Sequence, residues 1–435
     1  MANPMVTPMA NAALFRVNRS RGLRAGIALL AILVTSLAAS GAFAQASKYA
    51  FSERNQKKML KVIELLQAEG TAEEQAAART QAIEVLEGIN LKRAKAYGRA
   101  RIEQMLGSLA AQDEEYEKAL GHLERAIAEE ALQPEVQLST LYQVGQLQSM
   151  LERFDDAVAT LERWISQVEA PSPSSYYTLA VTYYQAERAE DALEPARKAV
   201  DLADEPREAW YRLLLSLYLE RNMYAEALAL LDDIILAYPK KAYWTQMAAI
   251  YSELDEMPKS LAVQQLAKTE GFMTEDKDLT RLAQMFMVEG LPHRGAAVMR
   301  AGLESGAIEA DKQAYQTYSD TLLQSREWAA ALDPLAKAAK LHDDGSLYVR
   351  LAQVNLQLGR WGDARSSLNQ AFKKGGLNDE GQAHILFGIA AANDKKWNQS
   401  VAAFNRAARF DGTADVAAKW LAYIAREKAR LGVTD

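Results

Sequence analysis

Four histidines, His122, His293, His342 and His384, are the side chains best suited to move a proton or hold a metal near neutral pH. They are scattered along the chain, with no second histidine one helical turn away from any of them. Each is read as a surface or groove residue, not a ligand. Acidic clusters at Asp113-Glu114-Glu115, Asp155-Asp156 and Asp232-Asp233 raise the question of calcium. Adjacent carboxylates on a helix point in different directions, and acids that open a helix favour its dipole, so a structural role is expected. Lys373-Lys374-Gly375-Gly376 lacks the spacing of a phosphate loop and reads as the end of a helix. With no cysteine, disulfides and thiolate metal sites are excluded. Neither catalysis nor a cofactor is expected, and the function must be sought in how the chain presents its surface.

Alanine, leucine, glutamate and glutamine dominate while glycine (23) and proline (11) are sparse, a mixture that favours helix. No stretch alternates in the manner of a strand, so no sheet is expected. The chain's 435 residues exceed a single domain and call for several domains or one repeat array.

A repeat is present. Its register starts at Ala100, Leu138, Pro173, Glu208, Lys241, Asp276, Lys312, Gly345 and Gly381, at intervals of 33 to 38 residues. The second copy reads Leu141, Val144, Gly145, Gln148, then Phe154, Ala157, Leu161, Trp164. Two columns decide the matter. A small residue recurs in the second helix at Ala119, Ala157, Ala192, Ala227, Ser260, Gly295, Ala331, Ala364 and Ser400. The matching column of the first helix is Gly107, Gly145, Ala180, Leu215, Ala248, Ala283, Ser319, Ala352 and Gly388, with Leu215 alone departing. Helix axes 8–10 Å apart require small side chains at closest approach, and large residues a turn away fill the space between hairpins. Aromatics at Tyr116, Phe154, Tyr224, Trp328, Trp361 and Trp397 open second helices.

These columns resemble the tetratricopeptide repeat (TPR) over residues 100–411. The resemblance implies an all-α solenoid, a right-handed superhelix of antiparallel helix pairs whose first helices line an inner groove. Residues 45–99 are expected to hold a capping helical hairpin joined at Glu69-Gly70-Thr71, and residues 412–435 a closing helix. Pro195 and Pro334 fall inside second helices, where a proline removes a backbone hydrogen bond, so a local kink is expected at each. Pro258 and Pro292 sit near helix starts, where proline is tolerated.

In this register the groove-facing positions carry Tyr142, Gln146, Tyr177, Tyr184 and Arg212, then Gln284 and Gln353. Tyrosine and arginine are the usual residues of protein-binding hot spots. Lysines and asparagines of the kind that clamp a C-terminal carboxylate are missing from these positions. An extended or helical protein segment is the expected ligand.

The first 44 residues read separately. Arg16, Arg19, Arg21 and Arg24 precede an apolar stretch from Ala25 to Ala39, and Ala42-Phe43-Ala44 forms a cleavage site. The stretch is shorter than the ~20 residues of a membrane span, so cleavage after Ala44 and a periplasmic mature chain are expected, with a retained anchor as the alternative. Loss of these arginines takes the net charge from -7 to -11, which disfavours nucleic acid and anionic lipid as partners.

Phe51-Ser52-Glu53-Arg54, Leu161-Glu162-Arg163-Trp164, Tyr238-Pro239-Lys240-Lys241 and Asp343-Asp344-Gly345-Ser346 resemble exported TPR proteins associated with TonB/ExbB/ExbD energy-transduction systems. That resemblance implies a periplasmic adaptor of outer-membrane transport whose partner is the transducer or its motor. The alternatives are a scaffold for other envelope machinery, such as secretion, pilus or exopolysaccharide export, and a cell-wall-acting enzyme. The last would need a carboxylate pair that is not evident in the sequence.

Overall fold

The computed structural model describes residues 49–432. The export segment therefore lies outside the described residues. Among those residues there are 21 α-helices, one short 3-10 turn at Leu91–Arg93 and no strand. The all-α fold expected from the repeat is what forms.

The chain divides into two compact units, Met1–Ala227 and Leu228–Asp435, with the division falling inside α10 (Tyr224–Ala237). The first unit opens with α1 (Glu53–Leu66) and α2 (Ala72–Glu87). It continues through the hairpins α3 (Ala96–Gln112) with α4 (Tyr116–Ala128), α5 (Pro134–Met150) with α6 (Phe154–Gln167), and α7 (Pro173–Gln185) with α8 (Ala189–Asp201), followed by α9 (Glu208–Glu220). The second unit contains α11 (Lys241–Glu253) with α12 (Met257–Thr269), α13 (Asp276–Val288) with α14 (Pro292–Ser305), and α15 (Lys312–Gln324) with α16 (Trp328–Leu341). Its last hairpins are α17 (Ser346–Gln357) with α18 (Trp361–Lys374) and α19 (Glu380–Asn393) with α20 (Trp397–Ala407), and α21 (Ala414–Arg430) closes it. From α1 to α9 and from α11 to α21 each helix packs on the next in sequence.

Local signals set the helix starts. Ser172 accepts a hydrogen bond from the Ser175 N–H and Pro173 supplies the first turn of α7, where its missing N–H costs nothing. Asp311 and Asp379 cap α15 and α19 in the same way. Thr71 and Glu74 form a reciprocal capping box at α2. The first helices α3 and α5 begin a full turn ahead of the repeat register, whereas α7 and α9 begin on it.

One point of contact sets each hairpin. Every member of the second-helix small column is buried. A Cβ on Gly107 would lie 2.6 Å from the Leu123 side chain, and one on Gly388 would lie 2.6 Å from the Phe404 ring. Where serine replaces alanine in the second helix, the backbones are so close that its hydroxyl reaches across the hairpin. Ser260 donates to the Ala248 carbonyl at 2.8 Å and Ser400 to the Gly388 carbonyl at 2.9 Å. Each hydroxyl thus bonds to the facing small-column residue, which removes the cost of burying a polar atom.

The turn between the two helices is equally regular. In all nine repeats the residue two positions before the second helix has positive φ: Glu114, Glu152, Glu187, Asn222, Asp255, Gly290, Arg326, Gly359 and Lys395. The following N–H donates to the carbonyl five residues back, as from Arg188 to Tyr183 at 2.9 Å and from Lys396 to Ala391 at 2.8 Å. This is a Schellman cap. Only two of the nine residues are glycine, so the others accept the left-handed conformation at a cost of roughly 1 kcal/mol each.

Helices α8 and α16 run without interruption through Pro195 and Pro334, and both prolines are buried. A single lost backbone bond is outweighed by packing along the rest of a helix that fits between its neighbours. One sequence expectation needs correction. His384 is not a surface or groove residue. It is buried on α19, with its ring stacked on Phe372 at 4.3 Å and Glu380, one turn earlier, 3.6 Å away.

Replacing Glu187 by glycine should leave stability unchanged or raise it by up to about 1 kcal/mol, while Glu187→Val should lower it by at least that much. Denaturant midpoints of the two variants check this, and a valine variant as stable as the glycine one would contradict the strain assignment. Burial lowers the His384 pKa below the ordinary imidazole value of 6.5, with Arg406 adding to the effect and Glu380 opposing it. The neutral ring is thus the folded form, and its contribution, complete above pH 6.5, is lost as pH falls through the depressed value. Melting curves from about pH 7.5 down to about pH 5 should show this loss in the wild type and a shallower one in His384→Phe.

Candidate functional site

In the first unit the first helices α5 and α7 carry the tyrosines singled out by the repeat register, and α9 carries Arg212. Tyr142 on α5 is half-buried, with its ring 4.6 Å from that of Trp164 on α6 and its hydroxyl 3.0 Å from Thr178 Oγ1 on α7. Tyr177 on α7 stacks on Trp210 of α9 at 5.5 Å and an interplanar angle of 26°. Tyr184 donates its hydroxyl to Glu220 Oε1 on α9 at 2.9 Å. Burial raises the pKa of all three phenols; the Arg212 charge opposes this at Tyr177, and the Glu220 carboxylate adds to it at Tyr184. Every one of them remains a neutral hydrogen-bonding group at physiological pH.

Each tyrosine therefore bridges its own first helix to the next one. The bridging leaves part of each ring accessible, so the same residues order the face and form its surface. Gln146 is half-buried on α5, and Arg212 is exposed on α9.

In the second unit α13, α15 and α17 enclose an open cleft of about 670 Å³. Met287, Leu323, Trp328 and Val354 supply its apolar wall, and Gln324, Gln353 and Gln357 its exposed amides. Asp320 and Arg350 meet within it at 2.5 Å from Oδ1 to Nη1. This is an ion pair by distance and not an aligned hydrogen bond, because Oδ1 is shut off from water with no donor in good geometry. Burial raises the Asp320 pKa even though Arg350 opposes the shift. Gln353 lines the cleft; Gln284 lies exposed on α13 and is not among the lining residues.

A second, smaller cleft of about 240 Å³ lies in the first repeat, where sequence reasoning placed nothing. Glu103 on α3 is buried, and its Oε2 lies 2.6 Å from His122 Nδ1 and 3.1 Å from Arg125 Nη2, both on α4. Arg99 and Glu129 form a bidentate pair on the same rim. His122 is therefore held by a buried carboxylate and is not a free surface residue. A signal for this was available: the register position that holds Leu141, Tyr176 or Tyr211 in later repeats holds an acid in the first. An acid in a core column demands a partner, and the facing helix supplies two. No group of histidines and carboxylates able to hold a metal is found among the described residues, and no described helix is long and apolar enough to cross a membrane.

No protein-family model matches the chain, and no curated protein is significantly similar to it. Solved structures similar to it include tetratricopeptide repeat proteins. One is YrrB, described as a TPR protein with an unusual peptide-binding site, at 18% identity over 43% of this chain and 89% of that one, with a TM-score of 0.34. Another is the C-terminal part of a TPR repeat-containing protein from Cytophaga hutchinsonii, at 12% identity over 64% and 99% of the two chains and a TM-score of 0.30. A tetratricopeptide repeat protein from Parabacteroides merdae is 14% identical over 58% and 98%, with a TM-score of 0.27. At these scores they say nothing about a ligand or partner.

Replacing Tyr142 by phenylalanine removes the Thr178 bond and keeps the ring on Trp164. A loss of about 1 kcal/mol in chemical denaturation is expected, against a much larger one for Tyr142→Ala. Equal losses for the two variants would show that the hydroxyl, not the ring, carries the contact.

Proposed function

We propose that this chain is an exported, periplasmic protein-binding scaffold that serves a TonB/ExbB/ExbD-type energy-transduction system as an adaptor. The observation that carries the binding role is the face formed by successive first helices. In the first unit such a face presents half-buried tyrosines and Arg212 on α5, α7 and α9, and in the second unit α13, α15 and α17 enclose a cleft. Rigid aromatic side chains with a hydroxyl, next to arginine, provide contact area at low entropic cost. The basic flank, short apolar core and Ala42-Phe43-Ala44 site support export. The choice of partner rests on the sequence resemblance alone.

The mature chain should bind a purified periplasmic domain of a TonB-type transducer or of an ExbD-type motor subunit in a surface-immobilised assay. The Tyr177→Ala, Arg212→Ala double variant should weaken that binding about tenfold or more. Undiminished binding by the double variant would remove the first-unit face from the account. Absence of binding to every such domain would remove the partner.

A further inference from the structure

The Asp320–Arg350 pair in the second-unit cleft is held unequally from its two ends. Asp320 has a short side chain fixed on α15, and its Oδ1 is shut off from water without an aligned donor. Burial disfavours its charged form, so the carboxylate gains from any better donor that reaches it. Arg350 reaches the pair from α17 on a long stem, and its side chain is 39% exposed against 31% for Asp320, whose Oδ1 alone is buried. A guanidinium released there returns to water with little loss, whereas a carboxylate stripped of its partner would stay partly desolvated. The acid is the fixed half of the pair and the arginine the replaceable half.

The surroundings add to this. Gln324, Gln353 and Gln357 are exposed around the cleft, and each primary amide offers both a donor and an acceptor, the complement of a peptide backbone. Met287, Leu323, Trp328 and Val354 form a wall for an aliphatic stem. The chain as a whole is acidic, at a net charge of -7, which draws a basic partner toward it.

We propose that this cleft takes a lysine or arginine side chain from an extended segment of a partner protein, which displaces Arg350 from Asp320 while the glutamine amides hold the segment's backbone. The inference rests on the reading of the first-helix face as a protein-binding surface and adds the chemistry it selects. An acidic side chain is disfavoured, because pairing it with Arg350 would leave Asp320 without a counter-charge.

The test uses the full mature chain and acetylated, amidated octapeptides of serine and leucine with one central lysine, glutamine or glutamate, titrated by calorimetry. The lysine peptide should bind at least about tenfold tighter than the glutamine peptide, and the glutamate peptide should bind weakest. Asp320→Asn should abolish the lysine preference. Arg350→Gln should keep that preference and tighten lysine binding severalfold, because the internal competitor is gone. Circular dichroism establishes that both variants fold. The proposal is overturned if glutamate binds as well as lysine, if Asp320→Asn leaves the preference intact, if Arg350→Gln weakens lysine binding, or if none of the peptides binds. If a transducer domain binds while the lysine preference is absent, this inference falls and the adaptor reading stands. If the preference holds without transducer binding, the cleft stands and the partner is wrong.

Discussion

The close approach of two helix backbones at one point per hairpin is the constraint from which the rest follows. It admits alanine, glycine or a serine whose hydroxyl bonds across to the facing carbonyl, and it excludes anything larger in the second helix. Once that distance is set, the large residues a turn away must interleave with the next hairpin. The first helices then come to lie side by side, as α13 with α15 and α17 with α19 do in the second unit. A surface shared by successive first helices is thus a by-product of how each hairpin closes. Tyr142 and Tyr184 use it to bond to the neighbouring first helix.

The turn that makes this approach possible carries strain. Seven of the nine turn residues hold a left-handed backbone without being glycine. Their side chains are charged or amide-bearing and project into solvent, so their cost is purely conformational. The two Schellman bonds of each turn outweigh it by satisfying carbonyls that would otherwise be left open at the end of the first helix.

Most of the fold was legible in the sequence because the small column repeats at fixed spacing, and no other arrangement explains Ala119, Ala157 and Ala192 in one register. The left-handed turns were not, since Glu187 and Arg326 carry no mark of the conformation they adopt. In the candidate site, register placed Gln353 on a first helix, where it lines the cleft. What register could not supply was which side chains pair across helices. Arg350 reaching Asp320, and Glu103 reaching His122, depend on side chains 30 and 19 residues apart in sequence. Glu103 still left a trace, as an acid in a column of large residues.

The claim that the first-helix face, and not the outer surface, carries recognition is tested most directly by photo-crosslinking in intact cells. A benzoylphenylalanine placed at Gln353 on α17 is compared with one at Gln370, exposed on the second helix α18. The account predicts discrete protein adducts from position 353 and none of the same identity from position 370. Adducts formed equally at both positions, or only at 370, would contradict it.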